Sequence, residues 1–270
     1  MAKVDLAGIG IWSEAFSGWE QFCAVARGEA VEAEAKLQPE LISPRERRRA
    51  PQFVKMAVEV MDQACSMAEV ERASVATVFA SGMGDMQITD YMCRTLATMP
   101  RTLSPTKFHN SVHNAATGYW SIATGSNAPA NAVSGYEHSG GVALLEGAIQ
   151  AVEENIPVLI AVQEAAAPKP FKSVYDSDHP LAIALLLTPR GTCSSPVCEL
   201  GFCVSTGDQS EIQPASLTGV DLERNFAAKI LGLLLVIADG GISRLSLPIA
   251  QSASLAIDVT PSRDGSRADG

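Results

Sequence analysis

Apolar and polar positions along the 270-residue chain follow two periods, and their succession predicts alternating strands and helices. Residues 4–11 (VDLAGIGI) are an almost unbroken apolar run ending among glycines, the pattern of a buried strand. Residues 19–26 carry an apolar stripe at helical spacing, and residues 30–39 are acidic, alanine-rich and expected to be exposed. Ser43, Pro44 and Glu46 make an N-cap signature ahead of a helix from about 51 to 67. Residues 75–80 (VATVFA) predict a strand, 81–85 a glycine-bearing turn, and 87–96 a helix rich in Met and Cys. Gly82 and Gly84 alone do not make a dinucleotide fingerprint, so the turn reads as a tight strand-to-helix connection rather than a phosphate loop. Residues 103–113 read as a loop, and 114–124 as a helix of small residues suited to close backbone packing. The apolar runs at 157–162 (PVLIAV) and 180–188 (PLAIALLLT) predict central strands covered on both faces, with a loop at 168–179 between them. The pattern then changes. A short strand flanked by polar turns is expected within 191–214, and a helix over 219–237 with Leu222, Phe226, Ile230, Leu233 and Leu234 on one face. Two strands follow at 242–247 and 254–259, and a polar end at 260–270 is expected to fray.

The chain is organised around residues 131–152 (NAVSGYEHSGGVALLEGAIQAV). An extended segment at 131–134 turns at Gly135, passes Gly140 and Gly141, and becomes a helix with apolar positions at Val142, Leu145, Ile149 and Val152. A strand, a tight turn and a helix present one side chain at a helix N-terminus, where free N–H groups and the helix dipole favour an anion or activate a nucleophile. The side chains available there are Tyr136, Glu137, His138 and Ser139, with no cysteine among them. Ser139 and His138 do not form a nucleophile–base pair, because adjacent side chains on a helix diverge.

Composition narrows the classes. With 47% hydrophobic and 19% charged residues the chain is globular, and a net charge of −10 argues against general nucleic-acid affinity. The exception is the basic run Arg45, Arg47, Arg48 and Arg49, which reads either as a solvated helix face or as a docking patch for an acidic partner or a phosphate. None of the six cysteines forms a CxxC pair, and Cys23, Cys65 and Cys93 sit in helix-like apolar patterns as expected buried thiols. Cys193, Cys198 and Cys203 with His179 match no common zinc spacing. His109 and His113, four apart, lack the acidic neighbour of a metalloprotease helix and read as buried or interface histidines. No metal or other cofactor is expected. No apolar run is long enough for a membrane span and no signal peptide is apparent, so the expectation is a cytoplasmic, reduced protein.

The ordered motifs resemble the N-terminal half of a thiolase-fold β-ketoacyl synthase. Residues 104–125 resemble the synthase stretch in which a Ser-Pro loop leads to an Asn-x-x-(Ala/Ser)-Gly helix at the dimer interface. Residues 131–147 resemble the nucleophile elbow, and 158–164 the Val-Ala-Gly-Gly-(Ala/Thr)-Glu strand. The run Glu46-Arg47-Arg48-Arg49-Ala50, the segment Phe108-His109-Asn110-Ser111-Val112-His113-Asn114 and the Ala143-Leu144-Leu145-Glu146 helix resemble a shorter branch. That branch comprises the truncated chain-length-factor-like proteins of aryl-polyene-type biosynthesis. The resemblance implies a layered α/β, thiolase-like fold. Residues 1–190 would form the ketosynthase N-terminal domain, 191–260 a reduced C-terminal α/β region packed on it, and 261–270 a disordered tail. It also implies a full-length ketosynthase as heterodimer partner and, indirectly, an acyl carrier protein, with no nucleic acid and no membrane span.

The same resemblance removes the chemistry. A ketosynthase needs a thiolate at the elbow to take an acyl chain from a thioester. Aligning Ser134 with the family serine puts Glu137 at the cysteine position; a shift of one puts Tyr136 or His138 there. The family's catalytic histidines lie in the second half of a synthase, and this chain has no histidine after His179. The synthase's Asp-Gly-Phe-x-x-Gly-Glu-Gly loop is absent between Tyr175 and Leu187. Hence no catalytic residue is assigned. Glu137 is expected to cap the elbow helix, to close an acyl tunnel with Tyr136, or to have no role. The expected interface and tunnel residues are Phe108, His109, Asn110, His113, Asn114, Tyr119, Trp120, Tyr136, Glu137 and His138, with bulky Phe108, Tyr119 or Trp120 setting how long a chain fits. The arginines are the expected carrier-docking residues. Two other readings stay open. One is a stand-alone acyltransferase using Ser134, Ser139 or a cysteine; the other is a carrier-binding scaffold module.

Overall fold

The computed structural model describes residues 2–32, 37–206 and 221–262. In chain order the elements are β1 (Ala2–Ser13), α1 (Trp19–Ala26), α2 (Pro44–Arg47), α3 (Gln52–Met67), β2 (Ala76–Ala80), α4 (Met86–Thr98), α5 (Pro105–His109), α6 (Ala115–Thr124), β3 (Ala130–Val133), α7 (Ser139–Glu153), β4 (Val158–Glu164), β5 (Leu181–Pro189), β6 (Cys198–Thr206), α8 (Leu231–Asp239), β7 (Ser243–Ala250) and β8 (Ala253–Pro261). All eight strands join one sheet in the order β3-β2-β4-β5-β1-β6-β8-β7. β2 runs parallel to β3 and β4, and every other pairing is antiparallel.

Two apolar layers cover the sheet, and period-two alternation divides the strand side chains between them. On one face Phe79, Leu159, Ala161 and Leu186 pack with Phe53, Met56 and Val60 of α3 and with Trp120 of α6. On the other, Val78, Ile160, Val162 and Leu185 pack with Ala143 and Leu144 of α7, Leu233 and Leu234 of α8, and Phe22 of α1. α3 lies against β1 because Gly8 and Gly10 leave the room: a Cβ on either would sit 2.0 Å from the Ala64 carbonyl oxygen or 1.9 Å from that of Val60. The boundary expected near residue 190 falls between β5 and β6, yet β6 pairs with β1, so the sheet runs on without a break.

Helical spacing placed the starts of α3 and α4 within a residue, but the Ser43 signature caps the separate α2, its Oγ accepting from Glu46 N at 3.4 Å, while α3 starts after Pro51 with no side-chain cap. At α4, Asp85 Oδ1 accepts from Ile88 N at 3.0 Å. Four expectations need correction. The stretch read as loop before α6 contains α5, capped by Ser104 Oγ on Lys107 N at 3.4 Å. The helix expected over 219–237 is a 3-10 turn over Phe226–Ile230 followed by α8, which ends at left-handed Gly240; residues 219 and 220 lie outside the described residues. α8 is apolar on nearly all sides, so spacing alone did not locate its start. Cys93 is exposed, whereas Cys65 and Cys198 are buried and burial pushes their thiols up to about 12.

The fourth correction concerns α7. Its expected apolar stripe is the outer one: Ile149 is 48% and Val152 38% exposed, and Val142 and Leu145 are half-buried. The buried face carries Gly140, Ala143, Gly147 and Ala151, whose small size lets the helix lie close to the sheet, together with one large side chain, Leu144. A Cβ on Gly147 would meet the Ile160 side chain at 2.5 Å. Of the acidic segment expected to be exposed, Pro39 is buried and residues 33–36 lie outside the described residues. The same holds for 207–214 beyond the strand expected in 191–214, and for the tail after Ser262. No helix among the described residues is long and apolar enough to cross a membrane.

Candidate functional site: a strand-turn-helix elbow closed by aromatic side chains

β3 hands over to α7 through Ser134, Gly135 and a 3-10 turn at Tyr136–His138. The apex is Tyr136, at φ 55°, a conformation costly for a bulky residue and held only by its surroundings. Ser139 is the clasp. Its hydroxyl donates to the Tyr136 carbonyl at 2.7 Å and accepts from Gly135 N at 3.0 Å. Ser139 is buried, and both roles of its hydroxyl are spent on the turn. The strained position is therefore Tyr136, one residue before Glu137.

Around this apex the chain closes on itself. The Tyr136 ring meets Phe226 edge-on at 4.9 Å between centroids, and Phe226 meets Tyr175 at 4.7 Å. The Tyr136 hydroxyl donates to the Val174 carbonyl at 3.4 Å. Glu137 accepts from Lys229 Nζ at 2.9 Å, and this hydrogen bond holds its carboxyl below the usual range. The pair is partly exposed, so it fixes position more than it adds stability. Glu137 therefore ties the elbow to the 226–230 turn of its own chain. His138 Nδ1 is buried without a hydrogen-bond partner among the described residues.

Beneath the elbow lies the glutamate that closes the 158–164 motif, to which the sequence assigned no role. Glu164, at the end of β4, is wholly buried. It accepts from Ser81 Oγ at 3.0 Å, from Met83 N at 3.3 Å and from Gly82 N. Burial pushes its carboxyl up to about 7 against the pull of those hydrogen bonds. The glycine-bearing turn thus holds an internal carboxylate. A Cβ on Gly82 would sit 2.3 Å from the Tyr136 carbonyl oxygen, so the turn and the elbow touch backbone to backbone. His113 Nε2 lies 3.0 Å from the Ser81 carbonyl, an acceptor, so that nitrogen carries the proton.

The expected interface residues separate into two places. Tyr136, Glu137, His138 and His113 gather at the elbow. Phe108, His109, Asn114 and Tyr119 instead line an open groove of about 990 Å³ beside α6, with Arg49 on its wall. Asn110 is buried and accepts from the Tyr119 hydroxyl at 3.3 Å. Trp120 is wholly buried in its own core, so it offers no surface to an acyl chain or a partner. Arg47 donates to the Gln38 and Pro39 carbonyls at 3.5 and 3.4 Å and holds that loop; Arg45 and Arg48 are exposed. No cluster of three or more His, Cys, Asp or Glu that could hold a metal occurs among the described residues. Glu164 had a legible signal, a carboxylate closing an all-apolar run. Lys229 and Phe226 had none, since only the tertiary fold brings them to residue 136.

The single sheet, its two helical layers and a strained elbow without a thiol define a condensing-enzyme fold of the thiolase-like class. The chain belongs to the β-ketoacyl synthase family: the model of the β-ketoacyl synthase N-terminal domain matches residues 19–224. No curated protein matches it. Solved structures share the fold at low identity. The ketosynthase ApeO in complex with its chain length factor ApeC from Xenorhabdus doucetiae aligns at TM-score 0.71 and 18% identity, over 96% of this chain and 100% of that one. A type II polyketide synthase acyl-carrier protein in complex with its ketosynthase bound to the hexaketide aligns at TM-score 0.76 and 12% identity, over 97% and 99%. The ishigamide ketosynthase/chain length factor aligns at TM-score 0.73 and 14% identity, over 97% and 99%.

Proposed function

We propose that the chain is a non-catalytic, chain-length-factor-like partner of a full-length β-ketoacyl synthase, serving polyketide or fatty-acid-like biosynthesis of the aryl polyene type. The observation that carries this reading is the position of the disarmed elbow. It follows directly on β3, a four-residue strand at the sheet edge that, among the described residues, pairs on one side alone, with β2. Beside that edge runs the outer stripe of α7, joined to it by Asn131 Nδ2 donating to Glu146 Oε1 at 3.0 Å. A free strand edge next to exposed Ile149 and Val152 fits pairing with another chain of the same fold. Two features support catalytic silence in this reading: a tyrosine at the apex, packed on Phe226, and the lack of a histidine after His179 in the sequence. In this reading the elbow, with Tyr136, Glu137, His138 and His113, walls the partner's acyl tunnel. Phe108 and Tyr119 line the groove beside α6. Co-expression with a candidate ketosynthase followed by size-exclusion chromatography tests the pairing. A stable complex at the heterodimer size is expected, and separate elution of the two chains overturns it.

A further inference from the structure

Glu164 sits at a junction of the chain that offers its carboxyl no counter-charge. It ends β4, a strand paired on both sides, with β2 and with β5. Ser81 Oγ, Gly82 N and Met83 N donate to it, and all of these are neutral donors. Beside that turn lies a small apolar cluster in which buried Met86, Ala167 and Tyr175 pack with Met83, Phe171 and Phe226. Loop 168–179 and the 226–230 turn bring Tyr175 and Phe226 to this cluster and together cover the elbow. A Cβ on Gly82 would stand 3.1 Å from the Phe226 ring as well as against the Tyr136 carbonyl. The turn that holds Glu164 therefore touches both the cover and the apex.

The other titratable groups on the surrounding elements have partners or lie in the same apolar setting. Burial, and then the charge of Glu164, push the Tyr175 hydroxyl up. Asp85 caps α4, and burial raises its carboxyl. His113 is held on the Ser81 carbonyl, and Lys229 is paired to Glu137, next to His138. On the outer side of the loop Lys172 pairs with Asp178, Arg224 with Asp176, and His179 meets Glu14. Among the described residues no cation pairs with Glu164, and burial pushes its carboxyl up to about 7. Once ionised, such a carboxylate has only neutral donors around it and must draw in water for the rest of its solvation. β4 is fixed by its two neighbours, whereas the cover is held by edge-on aromatic contacts and by exposed ion pairs, which contribute little. The cover is the wall that yields. We propose that Glu164 is a proton-operated catch on the cover of the elbow. Neutral, it lets the aromatic cluster seal. When its proton leaves to solvent, loop 168–179 and the 226–230 turn open, water reaches the carboxylate, and Tyr136 is freed from Phe226. The device belongs to this chain alone and does not depend on pairing with a ketosynthase.

The test follows amide hydrogen exchange of the full chain from about pH 6 to about pH 8, corrected for the intrinsic rate, in the native chain and in Glu164→Gln. In the native chain the protection of residues 171–177 and 226–230 is expected to fall about tenfold across that range while β4 and β5 keep theirs. In Glu164→Gln the fall is expected to vanish. A fall that persists in this variant belongs to the histidines, His179 above all, and overturns the proposal; so does protection in the native chain that does not change with pH. Ser81→Ala, which deletes one donor to the carboxylate and keeps the proposal testable if Glu164→Gln fails to fold by circular dichroism, should move the opening to higher pH. A midpoint that stays in place in Ser81→Ala overturns the proposal as well.

Discussion

Three side chains decide the chemistry of this chain. Tyr136 occupies the apex of the elbow, and it is held at φ 55° by the Ser139 clasp and the Phe226 ring. Replacing Tyr136→Cys should supply a thiol that an alkylating reagent labels, yet no condensation product should appear by mass spectrometry, because no histidine follows residue 179 to assist. Glu164 carries a second prediction. Its folded pKa, about 7, lies above the ordinary carboxylate value of 4.5. The proton is thus held more tightly in the folded state, and the stability this contributes is complete below the unfolded value and is lost as pH rises through the folded one. The loss between those limits is of the order of 3 kcal/mol. Urea melts across that range should show stability falling toward neutral pH in the native chain and a flatter profile in Glu164→Gln. Trp120 belongs to the core: Trp120→Ala should cost about 3–5 kcal/mol in the same melts, and a change in product length without loss of stability would contradict that placement.

At the scale of elements, α7 shows how a correct helix can be read with its faces reversed. Ile149 and Val152 stand outside, and the buried face carries glycines and alanines with Leu144 as its one large apolar side chain, because a Cβ at Gly147 would meet the Ile160 side chain of β4 at 2.5 Å. Gly147→Ala should therefore destabilise by about 1–3 kcal/mol, as its methyl would have to displace the Ile160 side chain, and thermal melting reads this directly. Ile149→Asp should leave the melting temperature nearly unchanged, since the site is half exposed, while abolishing co-elution with the ketosynthase. If that variant still co-elutes, the outer stripe is not the pairing face. Strand positions and the starts of α3, α4 and α6 were legible because apolar runs and helical spacing are local signals, whereas α5 and the start of α8 were not. The 3-10 turn at 226–230 was not, since an all-apolar run carries no phase.

At the scale of the molecule, one continuous sheet carries both the family core and the later strands, and it ends on one side in the open β3 edge. Its neighbours of known structure share that architecture at 12–18% identity, so the fold has outlasted most of the side chains. The amino-acid sequence by itself determined the order of strands and helices, the absence of a cysteine at the elbow and the lack of histidines beyond residue 179, because these depend on residue identity and local period alone. Only the tertiary structure decided which residue is the apex, because that is a backbone angle imposed by Ser139, Gly82 and Phe226. It also decided that Glu137 is tied to Lys229, that Glu164 is buried beneath the turn, and that the expected interface residues divide between an elbow and a groove. Each of these joins residues distant in the chain, and no local pattern records such a contact.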